Sequence, residues 1–188
     1  MLPSSAINNN NNNSNHHHIA TIHHHHHHHS DIVNMTRYWI FKSEPYEFSI
    51  SDLAVCLTTR WDGIRNYQAR NFIREMNVND VVYFYHSNCK VPGIYGKMTI
   101  ITPSYTDPTA NDKDSKYFDK KAANLNSWLS VDVMYQDKYR EPLKLCSIKQ
   151  LALGNCPLTT KGNRLSIIPL TDEQYELIER EINILNDL

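Results

Sequence analysis

Four short stretches of this chain gather hydrogen-bonding side chains, three of them with or next to aromatic rings: Lys42-Ser43-Glu44 after Phe41, the run from Trp61 to Asn71, Tyr85-His86-Ser87, and, without a ring, Arg164-Leu165-Ser166. A ring flanked by hydroxyls, amides and cations offers a flat apolar surface with donors and acceptors at its margin, which suits a planar polar ligand. Trp61 stands at the mouth of the Gly63 turn and is the expected stacking residue, although tryptophans are also frequent in cores. Ser43 and Ser87 each follow a strand and can turn a hydroxyl or a backbone amide into one cavity, or simply serve their turns. Asn66 carries both a donor and an acceptor and could equally cap a helix. Arg70 follows it by four positions, which puts the two on one helix face. His86, the one histidine beyond residue 34, could be a ligand contact or a satisfied core group. Lys42, Arg65 and Arg164 are further cations able to meet a phosphate or a polar edge. Charges isolated in this way are more often solvated or paired, so of these only Lys42 and Arg164 join Arg70 in the expected site.

Several chemistries are excluded. The chain has no G-x-G-x-x-G, no P-loop, no G-x-S-x-G and no H-E-x-x-H, and it lacks the H-x-E and P-C-x-x-C pair of zinc deaminases. Cys56, Cys89, Cys146 and Cys156 form no C-x-x-C pair, and no histidine stands at zinc-ligand spacing from them. Neither a metal nor a cofactor is expected, and the cysteines are read as reduced thiols.

The elements that would position these groups follow from periodicity and punctuation. Tyr38 to Lys42 reads as a strand stopped by Ser43-Glu44-Pro45. Ser49 and Asp52 form a box-like cap for a short helix, and a second helix begins at Asn66 or Tyr67, with Ala69, Phe72, Ile73 and Met76 at helical spacing. Asp80 to His86 is apolar on both faces, as a buried strand is, and Ile94 to Ile101 returns beside it after a turn. Pro103 to Asn126 is expected to be a loop with a helical turn near Tyr117-Phe118-Asp119. Strands are then expected at Trp128–Val133, Leu143–Leu145 and Arg164–Ile168, with a helix capped by Ser147 between the last two. Thr171-Asp172-Glu173-Gln174 caps a final helix bearing Leu177, Ile178 and Ile182 on one face. Strands and short helices interleave without a βαβ rhythm. The expected class is therefore α+β, a mixed, mostly antiparallel β-barrel with peripheral short helices.

Residues 1–34 differ in kind from the rest. They hold Asn8 to Asn13, ten of the chain's 11 histidines and no lysine or arginine. So little apolar surface cannot offset the entropy of ordering, and the segment is expected to be a disordered low-complexity tail ahead of one domain at residues 35–188. Clustered imidazoles can chelate metals, but a homopolymer expansion accounts for the composition without that role. The tail has neither the basic nor the apolar region of a secretory signal. All 19 basic residues and 19 of the 20 acidic ones lie beyond residue 34, so the domain is formally neutral. Binding to nucleic acid would then rest on a shaped pocket, since a protein gripping DNA mainly by its phosphates carries a basic surplus. No stretch is long and apolar enough to span a membrane.

Six motifs occur in order from Trp39 to Thr171: W-I-F-K-S-E-P, W-D-G-I-R-N-Y-Q-A-R-N, F-Y-H-S-N-C-K-x-P-G-I, Y-F-D, W-x-x-V-D-V and R-L-S-I-x-P-L-T. Together they resemble the successive signatures of the EVE domain family of the thymocyte nuclear protein type. The resemblance implies a PUA-like barrel related to the YTH readers of methylated adenine, and it implies a nuclear place of work, with cytoplasm as the alternative. Where the family commonly has Y-x-D-P-K, this chain has Tyr117-Phe118-Asp119-Lys120-Lys121, without the proline. By the same resemblance Trp128 parallels the second cage position of the methyl-adenine readers.

On this footing the expected function is non-enzymatic: a reader, working as a monomer, of nucleic acid carrying a modified base. DNA with methylated or hydroxymethylated cytosine is preferred over RNA. The expected contacts are Lys42, Ser43, Trp61, Asn66, Arg70, His86, Ser87, Trp128 and Arg164, with stacking worth roughly 1–3 kcal/mol per base. The alternative is a hydrolase of modified nucleosides using Lys42, Ser43 and Glu44, as some PUA-like relatives do with a lysine, a hydroxyl and a glutamate. Neighbouring residues of one strand point to opposite faces, which disfavours it.

Overall fold

The computed structural model describes residues 35–121 and 127–188. The expectations for residues 1–34 and for the end of the 103–126 loop lie outside the described residues. The described residues form a mixed seven-stranded sheet with four short helices. Its strands are β1 (Tyr38–Ser43), β2 (Thr58–Trp61), β3 (Val81–His86), β4 (Gly93–Ile100), β5 (Tyr105–Thr106), β6 (Leu129–Lys144) and β7 (Ile167–Leu170). The helices are α1 (Ile50–Cys56), α2 (Tyr67–Glu75), α3 (Leu145–Ile148) and α4 (Asp172–Asn186). The strand order is β2-β6-β4-β3-β1-β7, with β5 pairing separately to β6. Among the described strands only β1 and β3 run parallel, Tyr38 opposite Val81 through to Ser43 opposite His86. This is the mostly antiparallel α+β architecture that the interleaved elements lead one to expect.

Strand alternation sorts the core into two layers. Trp39, Phe41, Val82, Phe84, Met98, Val131 and Val133 meet α1 and α2 through Ile50, Leu53, Ala69 and Ile73. Ile40, Tyr83, Tyr85, Ile94, Leu143 and Ile168 meet α3 and α4 through Ile148, Ile178 and Ile182. A sheet covered on both faces explains why β1 and β3 are apolar at nearly every position.

Both boxes predicted at helix starts are present: Ser49 with Asp52 for α1, and Thr171 with Gln174 for α4. Elsewhere the structure differs from expectation. Thr58–Trp61 is a strand, held by pairing with Val131–Met134. Leu143–Leu145 is no separate strand, because β6 runs unbroken for 16 residues to Lys144. Ser147 lies inside α3, and the residue before that helix, Lys144, makes no side-chain cap. A 3-10 turn forms at Pro108–Ala110, where Asp107 caps it, rather than at Tyr117–Asp119. The last strand starts at Ile167, leaving Arg164 in the approach to it.

Candidate nucleic-acid interface

The end of β1, the turn leading into α1, β2 with the Asp62–Arg65 run after it, and Lys116–Tyr117 enclose a cleft of about 660 Å³. That is within the usual range for a small-ligand site. Its floor includes Trp61 and Ile64, and its walls carry Ser43, Phe48, Thr59, Asp62, Tyr117 and Ser166. The charges around it are nearly balanced, with Lys42, Arg60, Arg65 and Lys116 against Glu44, Glu47 and Asp62.

An arginine braces the cleft. Arg65 donates from Nε and Nη2 to the Tyr117 carbonyl (2.9 and 2.6 Å), from Nη1 to Asp107 Oδ2 (2.8 Å) and the Ile64 carbonyl (2.9 Å), and from Nη2 to Thr109 Oγ1 (3.1 Å). Asp107 is fully buried and also accepts from the Gly63 amide and from the Thr109 amide and hydroxyl. Burial alone would raise its pKa, but these donors, Arg65 foremost, outweigh that and hold it below the usual range. The Tyr117 ring lies over Gly63, which has φ +74°, and a Cβ there would come within 2.6 Å of the ring. Glycine is required at that turn both for the backbone and for the close approach. Outside this brace, Lys116 Nζ pairs with Glu47 Oε2 at 2.6 Å, joining two walls by an exposed ion pair.

Of the residues expected in the site, Lys42, Ser43 and Trp61 line the cleft. Ser43 Oγ donates to the Phe48 carbonyl at 2.6 Å, keeping its lone pairs as acceptors. The Lys42 ammonium lies 5.8 Å from the Tyr85 ring centre, on the face of the sheet that carries Ile40, and burial lowers its pKa. Trp61 is only 8% exposed and packs against Phe41 and Phe84.

The other six are placed elsewhere. Asn66 caps α2, its Oδ1 accepting from the Ala69 amide at 2.9 Å. Arg70 donates to the Ser127 carbonyl and to Asn71 and lies over the exposed Tyr67 ring, which itself stacks on Trp128. Trp128 is buried, and its Nε1 donates to Asp119 Oδ2. His86 Nε2 accepts the Ile50 amide at 3.2 Å, and the ring stacks on Tyr95. Burial lowers its pKa to about 4, which leaves the imidazole neutral with its proton on Nδ1. The Ser87 amide donates to the Ser43 carbonyl, tying the two strand ends together. Arg164 is exposed.

Arg65, Tyr117 and Asp107 are brace residues that the expected set lacks; Arg65, set aside as an isolated charge, is instead paired and holds the loop by five donated bonds. Asp107-Pro108-Thr109 carries a readable sign, since an Asx followed two positions later by a hydroxyl forms a compact capped turn. The reach from Asp107 to Arg65 across 42 positions has no such sign.

A braced cleft with an aromatic and polar lining, on a mixed sheet with short helices, defines a small ligand-binding domain. The chain belongs to the EVE domain family, whose model matches residues 37–181. It is 38% identical over 166 residues to thymocyte nuclear protein 1 of Homo sapiens, covering 77% of this chain and 73% of that protein. A Pseudomonas syringae protein of known crystal structure is 48% identical with a TM-score of 0.74, covering 77% of this chain and 99% of that one. The human THYN1 protein crystallised in complex with 5-methylcytosine-containing DNA is 36% identical with a TM-score of 0.71, covering 78% and 98%. A YTH domain of Zygosaccharomyces rouxii, 10% identical with a TM-score of 0.50 over 79% and 88%, shares the fold. The fold is thus PUA-like.

Proposed function

We propose that this protein is a non-enzymatic reader of DNA carrying a modified base, such as methylated or hydroxymethylated cytosine, and that the base enters the cleft beneath Tyr117. The observation that carries the proposal is the cleft itself: an aromatic and polar cavity of base-accepting size whose walls are held by the Arg65–Asp107 brace. Preorganised walls spare the cost of ordering them when a ligand enters. The relative crystallised with 5-methylcytosine-containing DNA supports DNA as the partner. The names of the relatives support a nuclear place of work.

The placement of Lys42 favours binding over hydrolysis. Both residues border the cleft, but a lysine acting with Ser43 would have to bring its amine to the same atom of the substrate, and its ammonium lies over Tyr85 while the Ser43 hydroxyl turns toward Phe48.

The test is fluorescence anisotropy with duplexes identical but for one cytosine, left plain, 5-methylated or 5-hydroxymethylated. The expected result is tighter binding to at least one modified duplex. Equal affinity for all three, or no binding to any, would overturn the proposal. Gly63→Ala, which drives a Cβ into the Tyr117 ring, should weaken the preferred duplex about tenfold or more while the protein remains folded by circular dichroism.

A further inference from the structure

The described residues contain three tryptophans, and two have their indole N–H satisfied by a carboxylate. Trp39 Nε1 donates to Asp80 Oδ2 at 3.0 Å and Trp128 Nε1 to Asp119 Oδ2 at 2.9 Å. Trp61 differs. Among the described residues its Nε1 has no hydrogen-bond partner, and yet it is not one of the sealed polar atoms, which among those residues are Ser130 Oγ and Tyr139 OH. An unpartnered nitrogen that is not sealed must touch open space. The space that Trp61 borders is the cleft.

How little of Trp61 is open decides what it can do there. A tryptophan has on the order of 250 Å² to bury, so 8% exposure leaves about 20 Å², a few atoms' worth and far less than a ring face. Phe41 lies tilted against it at 5.1 Å and Phe84 perpendicular to it at 5.5 Å, so the ring is packed into the core. A base has nowhere to stack on this ring. The open, unpartnered nitrogen is the part of Trp61 that a ligand in the cleft can engage.

We infer that Trp61 Nε1–H is a hydrogen-bond donor to an acceptor on the polar edge of the inserted base, a ring carbonyl oxygen or an unprotonated ring nitrogen. The inference rests on the proposed base-reading function and specifies the ligand chemistry: a planar heterocycle that turns an acceptor toward the floor of the cleft. Cytosine and its 5-substituted forms present two such acceptors, the 2-carbonyl and N3. The 5-substituent lies on the far side of the ring from the 2-carbonyl, so this contact holds the base in register and leaves discrimination of the modification to other walls. Specificity for an acceptor follows from the cost of burying a donor unpaired.

The experiment is 15N NMR of the labelled full-length chain, following the indole N–H signals with and without a DNA duplex bearing a single 5-methylcytosine. The signal lost in Trp61→Phe identifies Trp61. In the free protein it should exchange with solvent faster than those of Trp39 and Trp128. On binding it should move downfield and become protected, while the other two shift less. Trp61→Phe, which keeps an aromatic ring and removes the donor, should bind the duplex about tenfold more weakly. A Trp61 signal already protected in the free protein, one unchanged by a duplex that does bind, or a folded Trp61→Phe that binds as tightly as wild type would each overturn the inference and leave the reading of modified bases standing. Binding to no duplex would overturn that reading, and the assignment of a ligand to Trp61 with it. The wild-type spectra decide the matter even where Trp61→Phe fails to fold.

Discussion

His86 is a residue whose chemistry belongs to the fold. By accepting the first amide of α1 it satisfies a donor that the helix cannot. Its pKa falls from the ordinary 6.5 to about 4 because the charged form is poorly solvated there. Between those two values the unfolded chain holds a proton that the folded chain does not. Stability from this residue is therefore complete above pH 6.5 and is lost as the pH drops toward 4. The loss should be on the order of 2–3 kcal/mol. Urea unfolding at pH 7.5, 6 and 4.5 checks it: His86→Gln, which keeps an acceptor and cannot be protonated, should show a flatter pH dependence than wild type. Equal slopes would mean that His86 takes up its proton at the same pH in the folded and unfolded chains. The sequence leaves His86 open between core and ligand contact because either role suits a histidine at the end of a buried strand. Only the position of α1 against β3 decides it. Trp61 shows the same limit from the other side, since its place beside Gly63 is legible while the burial that leaves only 8% of it exposed depends on Phe41 and Phe84.

At the scale of elements, two ion pairs of similar length should differ in worth because of where they sit. Lys97 and Glu179 join β4 to α4 at 2.6 Å with only 21% and 25% of their side chains exposed, and Tyr83 donates to the same carboxylate. Burial works against the Lys97 charge, but Glu179 outweighs it and the pKa is raised. Glu179→Ala leaves the Tyr83 phenol without its acceptor and the Lys97 ammonium with only the Tyr175 hydroxyl at 3.4 Å, and should cost roughly 2–3 kcal/mol in urea unfolding. Lys116→Ala breaks the exposed pair with Glu47, 59% and 52% exposed, and should cost less than about 1 kcal/mol. A reversed order would mean that α4 is not anchored through Glu179.

Legibility also varies from element to element. β1, β3, α2 and α4 follow from apolar periodicity and caps that lie within a few positions. β2 does not, since Thr58-Thr59-Arg60-Trp61 has no alternation of its own and becomes a strand by pairing with β6. The middle of β6, with Asp137, Lys138, Arg140 and Glu141, reads as a polar connection, yet β4 holds it extended through two shifts of register. The cleft takes Thr59, Arg60 and Trp61 from β2 and Lys116 and Tyr117 from the long loop, so its outline is less visible in the sequence than the sheet behind it.

For the whole molecule, the balance of charge sets the salt dependence of binding. Lys42 is turned to Tyr85 and Arg70 holds the Ser127 carbonyl, while Arg164 is exposed. The slope of log affinity against log salt should correspond to no more than about two or three phosphates. A steep slope would show that affinity comes from a charged surface and not from the cleft. A chain beginning at Met35 should give the same slope and the same melting temperature as the full chain, because residues 1–34 offer almost no apolar surface to a core. A clear fall in melting temperature would show that the tail packs on the domain.

The pairing of β1 sets the timetable on which this domain can be made. Tyr38 lies opposite Leu170, and β1 is flanked on one side by β3 and on the other by β7, which comes after every other strand. On a ribosome β1 emerges first, yet its antiparallel neighbour cannot reach it until residue 170 has left the exit tunnel. At roughly 5–20 residues per second that is a wait of several seconds to half a minute. During it, the backbone hydrogen-bonding edge of Tyr38–Phe41 has no native partner on that side. A nascent chain stalled before β7 should therefore be bound by chaperones and open to proteases, and one carrying a C-terminal linker that brings Leu170 clear of the tunnel should be protected.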